Sequence, residues 1–221
     1  MEYVVKIIST KNITHNVKQF VVEKPEGFKF TPGQATDLTI NQQAWKDKKN
    51  PFTFTSLNSY ENLQFTIKIY PGSKDGVTRH LNTLKPGDEL IISDAWGAIE
   101  YKGTGYFIAG GAGITPFIAI LRQLYKDGEI GNNILFFSNK TDKDIILGEE
   151  LKTMLGNNCI FTTTQQKGGG DHRKINKAFL EKEVDDFKKH FYLCGPDPMV
   201  KHLTGVLKEL GAKADSVVFE K

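Results

Sequence analysis

The run Phe107-Ile108-Ala109-Gly110-Gly111-Ala112-Gly113-Ile114-Thr115-Pro116-Phe117 constrains this chain more than any other stretch. Its apolar start reads as a buried strand, its glycines as a tight turn and its end as the opening of a helix. Gly110, Gly111 and Gly113 let a backbone approach a ligand closely, and the first helical turn offers unpaired N–H groups and the positive end of a dipole. That combination suits a pyrophosphate. Thr115 is placed to be the N-cap, and Pro116 to take the first helical position, where no N–H is needed. Phe117, Ile120, Leu121 and Leu124 follow at i, i+3, i+4 and i+7, so one helix face packs back onto a sheet. Alone, such a turn also reads as plain strand-to-helix punctuation. A second turn downstream gives it weight.

The chain changes grammar near residue 102. Before it, β-rich runs at 4–8, 17–22, 35–40, 52–55, 63–70 and 89–93 are punctuated by Pro32-Gly33, Pro71-Gly72 and Pro86-Gly87. This is the pattern of an antiparallel β-barrel. After it, strands at 105–109, 134–138, 159–163, 190–194 and 216–219 alternate with helices, the rhythm of an α/β doubly wound parallel sheet. The expectation is two domains, 1–101 and 102–221. Ligands of such sheets sit at the carboxyl ends of the strands. The second turn falls there: Phe191-Tyr192-Leu193 runs into Cys194-Gly195-Pro196-Asp197-Pro198-Met199 and then a helix with Met199, Leu203, Val206, Leu207 and Leu210 on one face. Cys194 reads either as a small group facing the crevice or as a buried small hydrophobe.

The first half carries its own constellation. Asn50-Pro51-Phe52-Thr53-Phe54-Thr55-Ser56 places hydroxyls and aromatics on one barrel strand. Alternation puts Thr53 and Thr55 on one side and Phe52, Phe54 and Ser56 on the other, with an ordinary β-strand as the bland reading. Beyond the strand that ends in Ile69 and Tyr70, Asp75-Gly76-Val77-Thr78-Arg79-His80-Leu81 opens a short helix, and the N–H groups of Gly76, Val77 and Thr78 make a further anion site. Phosphate sites in both halves imply two nucleotides meeting in the cleft between them.

Composition excludes several alternatives. With 221 residues, 39% of them hydrophobic, the chain can bury one large core or two small ones. Cys159 and Cys194 make no disulfide framework and cannot ligate an iron–sulfur cluster, so a redox centre would be organic or carried by a partner. The five histidines show no ligand spacing, and no metal is expected. A net charge of +3, with lysines spread along the chain, argues against nucleic acid as a partner. The amino terminus lacks a signal-like apolar stretch and no window reaches membrane-spanning length, so the expectation is a cytoplasmic protein without a membrane span.

Taken in order, these motifs resemble the ferredoxin–NADP⁺ reductase superfamily along essentially the whole chain. Phe30-Thr31-Pro32-Gly33-Gln34 is similar to the family's Phe-x-Pro-Gly-Gln turn, and the stretch from Pro51 to Ser56 to its Arg-x-Tyr-Ser/Thr-x-x-Ser flavin strand. Gly76-Val77-Thr78 is similar to its flavin-phosphate turn, and Gly111 to Pro116 and Cys194-Gly195-Pro196 to its pyridine-nucleotide loops. The resemblance implies FAD, rather than FMN, on the barrel, NAD(P)H on the parallel domain, and hydride transfer from nicotinamide to flavin. Thr53 would hydrogen-bond near flavin N5, Cys194 would lie beside the nicotinamide, and Glu220, one residue before the end, matches a carboxylate often close to the flavin. Two positions depart from the pattern: Asn50 stands for the family's phosphate-binding arginine and Phe52 for its tyrosine. Losing a charge-assisted fork weakens the grip on flavin by roughly 1.5–3 kcal/mol, which Lys48 or Lys49 could offset in part.

Ser138-Asn139-Lys140-Thr141-Asp142-Lys143-Asp144-Ile145 resembles the Asn-x-Thr-x-x-Asp-Ile run of NADH-using cytochrome reductases, which favours NADH. Against it, Lys140, Lys143 and Lys167 could neutralise a 2′-phosphate, and no acidic residue closes the strand at 162–165. Arg173, beside a glycine-rich segment, could reach the phosphates of either nucleotide. The expected activity is an NAD(P)H-dependent flavoprotein reductase that passes electrons singly to a separate protein or small-molecule acceptor such as a flavodoxin, a ferredoxin or a haem protein. The alternatives are a reductase of free flavin and a non-catalytic nucleotide-binding subunit of a larger redox complex.

Overall fold

The computed structural model describes residues 1–221 except 73–75, 98, 166, 167, 169, 214–216, 220 and 221. Its first half is a six-stranded antiparallel sheet of β1 (Glu2–Thr14), β2 (Val17–Val22), β3 (Ala35–Ile40), β4 (Asn50–Thr53), β5 (Leu63–Lys68) and β6 (Glu89–Ser93). The spatial order is β4-β3-β6-β1-β2-β5. The two edges meet where Phe54 bridges Phe65 and the Thr55 N–H donates to the Gln64 carbonyl at 2.8 Å, closing the sheet into a barrel. Alternation sends Phe20, Val22, Phe65, Ile67, Leu90 and Ile92 inward, where Phe28, Phe30 and Phe54 plug the interior. Phe30 and Phe54 stack at 4.4 Å between centroids.

Three barrel strands differ in extent from expectation. The first strand runs on to Thr14 rather than stopping at residue 8, because its polar second half pairs with β2 while leaving one face in solvent. The flavin strand covers Asn50–Thr53 rather than 52–55, since Phe54 to Ser56 leave β3 to make the closing seam. The strand expected at 63–70 ends at Lys68.

The second half is a parallel sheet of β7 (Gly105–Gly110), β8 (Ile134–Asn139), β9 (Cys159–Thr163), β10 (His190–Cys194) and β11 (Val217–Phe219), ordered β11-β10-β7-β8-β9. Phe107 and Ala109 face α2 (Thr115–Lys126) and α3 (Gly148–Leu155), while Tyr106 and Ile108 face α4 (Lys177–Glu183) and α5 (Asp197–Glu209). Burial on both faces explains the unbroken apolar run of β7. Between the halves, the Tyr192 hydroxyl accepts from the Lys102 N–H and donates to the Gly103 carbonyl, and Tyr101 stacks against Tyr192 and Phe107. Gly33, at φ +103°, lies so close to Ile99 that a Cβ there would stand 2.4 Å from its carbonyl oxygen and 3.1 Å from Ile120 Cδ1. The barrel is thus packed directly onto α2.

Candidate functional site: a cleft between barrel and parallel sheet

The order of the parallel sheet reverses between β7 and β10, so the loops leaving these neighbours run to opposite sides and open a crevice at their carboxyl ends. The barrel covers that crevice. The resulting cleft has a volume of about 450 Å³; Pro51, Phe52, Thr53, Thr66, Ile67, Lys68, Tyr70 and Thr78 form one wall, and Gly110 to Gly113, Thr115 and Cys194 to Pro196 form the other. Both glycine turns and the flavin strand therefore meet in one place.

Each glycine of the first loop has its own reason. Gly111 adopts φ +53°, which side chains other than glycine's rarely tolerate, and a Cβ there would meet only Lys68 Nζ at 3.8 Å, so its face is open to a ligand. Gly113 is needed for contact between the loops: a Cβ would lie 2.2 Å from the Cys194 carbonyl oxygen and 2.5 Å from the Gly195 nitrogen. The loop is a 3₁₀ turn, Gly111–Ile114, leading straight into α2. Thr115 is consequently not the N-cap: it already lies inside the helical segment, and its hydroxyl donates to the Ala112 carbonyl at 3.0 Å. The N–H groups for which the turn itself offers no acceptor fall instead on Gly111 and Ala112, at the cleft. Pro116 is buried beneath them.

Ser56 is fully buried, its hydroxyl accepting from the Gln64 N–H at 3.0 Å in the barrel seam. Ile69 and Val77 belong to the barrel core. Gly76 precedes a helix, α1 (Val77–Leu81), only five residues long, whose Thr78 hydroxyl accepts from the Tyr70 N–H at 3.2 Å. Asn50 pairs with Leu38 at the start of β4 and does not line the cleft. Of its neighbours, Lys49 pairs with Glu2 at 2.7 Å and Lys48 lies 4.4 Å above the Trp45 ring. Asn139 ends β8 and is 5% exposed, with both side-chain amide atoms lacking a hydrogen-bond partner, while Lys140 is exposed on the following turn. Glu220 and Lys167 lie outside the described residues.

Thr66 and Lys68 were missed at the sequence level, although period-two alternation places them on one face of β5. Lys68 carries a positive charge from the barrel to the glycine loop of the other half, where it would face a phosphate. The two cysteines are chemically distinct: burial pushes the Cys159 thiol up to about 12, whereas Cys194 borders the cleft. Among the described residues no group of three or more His, Cys, Asp and Glu could hold a metal, and no helix is long and apolar enough to cross a membrane.

The residues present fit two nucleotides. Phe52, Ile67 and Tyr70 offer an apolar wall for a ring system, and the Gly111 face with its N–H groups and Lys68 offers a cradle for a pyrophosphate. Residues 4–101 match the oxidoreductase FAD-binding domain and residues 107–204 the oxidoreductase NAD-binding domain. An NADH-cytochrome b5 reductase 2 of Mycosarcoma maydis is 28% identical, the alignment covering 98% of this chain and 71% of that protein. The reductase component of a propane 2-monooxygenase from Rhodococcus jostii is 26% identical over 90% of this chain, which spans only 57% of its length. In structure, a ferredoxin NADP⁺ reductase from Neisseria gonorrhoeae, solved with FAD and NADP, superposes with a TM-score of 0.85 at 19% identity, covering 99% of this chain and 98% of that one. The order of strands, the paired glycine loops and both domain matches agree: the chain belongs to the ferredoxin–NADP⁺ reductase superfamily, as an NAD(P)H-dependent flavoprotein reductase.

Proposed function

We propose that the chain takes reducing equivalents from NADH in preference to NADPH and delivers them to a separate one-electron carrier, with the flavin seated against Phe52 and Thr53. The observation that carries this reading is the single cleft in which the flavin wall faces the Gly111–Gly113 loop and Cys194. Bound flavin would accept a two-electron hydride and release electrons one at a time. The protein's part is placement. The N–H groups of Gly111 and Ala112, together with Lys68, would hold the pyrophosphate, Cys194 and Gly195 leave room for a flat ring, and Phe52 and Tyr70 exclude water from the facing surface.

The preference for NADH rests on the ends of β8 and β9, where the adenosine half would lie with its pyrophosphate on the glycine loop. A hollow of about 450 Å³ there is lined, among the described residues, by Asp142, Glu149 and Asp171 with Lys152 as the one cation, and Lys140 and Lys143 do not line it. Arg173 is occupied: it donates to Asp171 at 2.5–3.0 Å and to Glu183 at 2.5 Å, and its guanidinium lies 4.7 Å from the centre of the Phe179 ring. A 2′-phosphate would meet the like charge of Asp142 and Glu149, whereas a 2′-hydroxyl would donate a hydrogen bond to a carboxylate. The acidic closure absent from β9 itself is supplied by Asp171, whose carbonyl accepts from the Thr163 N–H at 2.7 Å. Steady-state turnover with ferricyanide tests this. NADH is expected to exceed NADPH in kcat/KM by at least about tenfold, roughly 1.4 kcal/mol; equal values or a preference for NADPH would refute it.

A second reading, flavin as an exchangeable substrate, is favoured by one observation: Lys48 and Lys49 are engaged away from the cleft, so neither replaces the family's arginine beside Asn50. The flavin content of the purified protein decides between the two.

A further inference from the structure

Arg122 lies on α2 two turns beyond the glycine loop, with a side chain only 10% exposed. Its Nε and Nη2 donate to the two carboxylate oxygens of Glu150 on α3 at 2.5 and 2.9 Å, a forked pair within the parallel-sheet half. Its Nη1 points the other way, into the barrel, donating to the Thr55 carbonyl and to Gln64 Oε1 at 2.6 Å. Those two acceptors sit on the closing seam of the barrel. In that seam Thr55 N–H meets the Gln64 carbonyl, Ser56 Oγ accepts the Gln64 N–H, and Thr55 Oγ1 lies 3.1 Å from Thr66 Oγ1. Phe52 and Thr53 immediately precede this seam in sequence, and Thr66 to Lys68 immediately follow it. These are the residues of one cleft wall.

We propose that Arg122 is a positioning residue that registers the two cleft walls: it fastens the helix that continues the Gly111–Gly113 loop to the seam that carries Thr53 and Lys68. The proposal rests on reading the cleft as the place where two nucleotides meet. Adhesion between the halves is already supplied by the apolar contact of Gly33, Ile99 and Ile120, and a buried ion pair is weak evidence for stability. What the guanidinium adds is direction, since a planar fork held by Glu150 has one orientation from which Nη1 reaches the seam. Transfer between two bound groups is sensitive to such registry, because a misplacement of about 1 Å costs on the order of a hundredfold. None of the groups that would hold either nucleotide is removed when the fastening is lost.

The test is Gln64→Leu, which deletes one barrel acceptor and leaves Arg122 with both Glu150 and the Thr55 carbonyl; Arg122→Met is the stronger second variant. In the ligand-free protein, amide hydrogen exchange should rise together at Thr55, whose N–H is bonded to the Gln64 carbonyl, and in the first two turns of α2, while β7 and β8 stay protected. In the flavin-loaded protein, the rate of flavin reduction by NADH should fall by about tenfold or more, with flavin content and NADH dissociation constant within about twofold of the parent. Unchanged exchange in the first two turns of α2, or a loss of rate that only tracks lost flavin or lost NADH affinity, overturns the proposal. Because exchange is read without ligand, failure of the cleft reading itself would show separately, as a parent protein that NADH does not reduce.

Discussion

Gly113→Ala discriminates between two uses of the same loop. Gly113 has an ordinary φ, so alanine brings no backbone strain, but its methyl carbon would stand 2.2, 2.4 and 2.5 Å from the Cys194 oxygen, the Cys194 carbonyl carbon and the Gly195 nitrogen. All three are main-chain atoms at the end of a buried strand and cannot rotate aside. One loop must move. The cost should lie near the top of the roughly 1–3 kcal/mol range for overpacking. At about 2–4 °C per kcal/mol for a chain of this size, that is a fall in Tm of about 6–12 °C. Separating the loops also moves the N–H groups that would hold the pyrophosphate, so the KM for NADH should rise by about tenfold or more. Gly111→Ala is the control. Its methyl would enter open space beside Lys68, and the φ of +53° costs only about 1–2 kcal/mol, so binding should suffer more than stability. Differential scanning fluorimetry and steady-state kinetics on both variants give the comparison. A Gly113→Ala protein with the parent's Tm and KM would refute the loop-to-loop contact on which the cleft depends.

Four further outcomes are expected. Thr53→Ala should slow flavin reduction by about tenfold, near 1.4 kcal/mol, with flavin content unchanged; equal stopped-flow rates would remove Thr53 from the reaction. Asn50→Arg should tighten flavin binding by about ten- to a hundredfold, roughly 1.5–3 kcal/mol, and the gain should shrink with added salt, whereas an unchanged titration would show that this strand end does not face the phosphate. Burial raises both Cys159 and Tyr192 to about 12, so their contribution to stability is complete below the unfolded values of 9.0 and 10.0 and is lost as pH climbs through 12. Tm should therefore fall across that window. At pH 8 iodoacetamide should spare the half-buried Cys159, and mass spectrometry showing rapid Cys159 alkylation would contradict its raised thiol.

Much of this architecture could be read from residue order because the signals are local. The apolar run of β7 ends in three glycines, Pro-Gly pairs mark barrel turns, and the face of α5 repeats at helical spacing. What escaped depends on pairing partners that the residues themselves do not announce, one of them local and the others distant in sequence. The second half of β1 is too polar to be read as a strand until β2 pairs with it. Lys68 looked like any solvated strand lysine, since nothing nearby in sequence says that Gly111 faces it. Arg122 sat on a helix whose apolar face had already been explained, and its barrel partners are 58 and 67 residues away. Ser56 and Val77 belong to motifs that resemble the flavin site, and their side chains pack in the barrel seam and core. Thr115 looked like a cap because a 3₁₀ turn entering an α-helix cannot be told in sequence from a single helical start.

Anaerobic titration of the purified protein with NADH, followed in the visible spectrum, tests most directly whether barrel and parallel sheet bring two nucleotides together. Absorbance bands near ~450 nm should survive desalting or return on adding FAD, and one equivalent of NADH should bleach them. A protein that binds FAD and NADH yet leaves those bands intact would contradict the cleft as the site where the two meet.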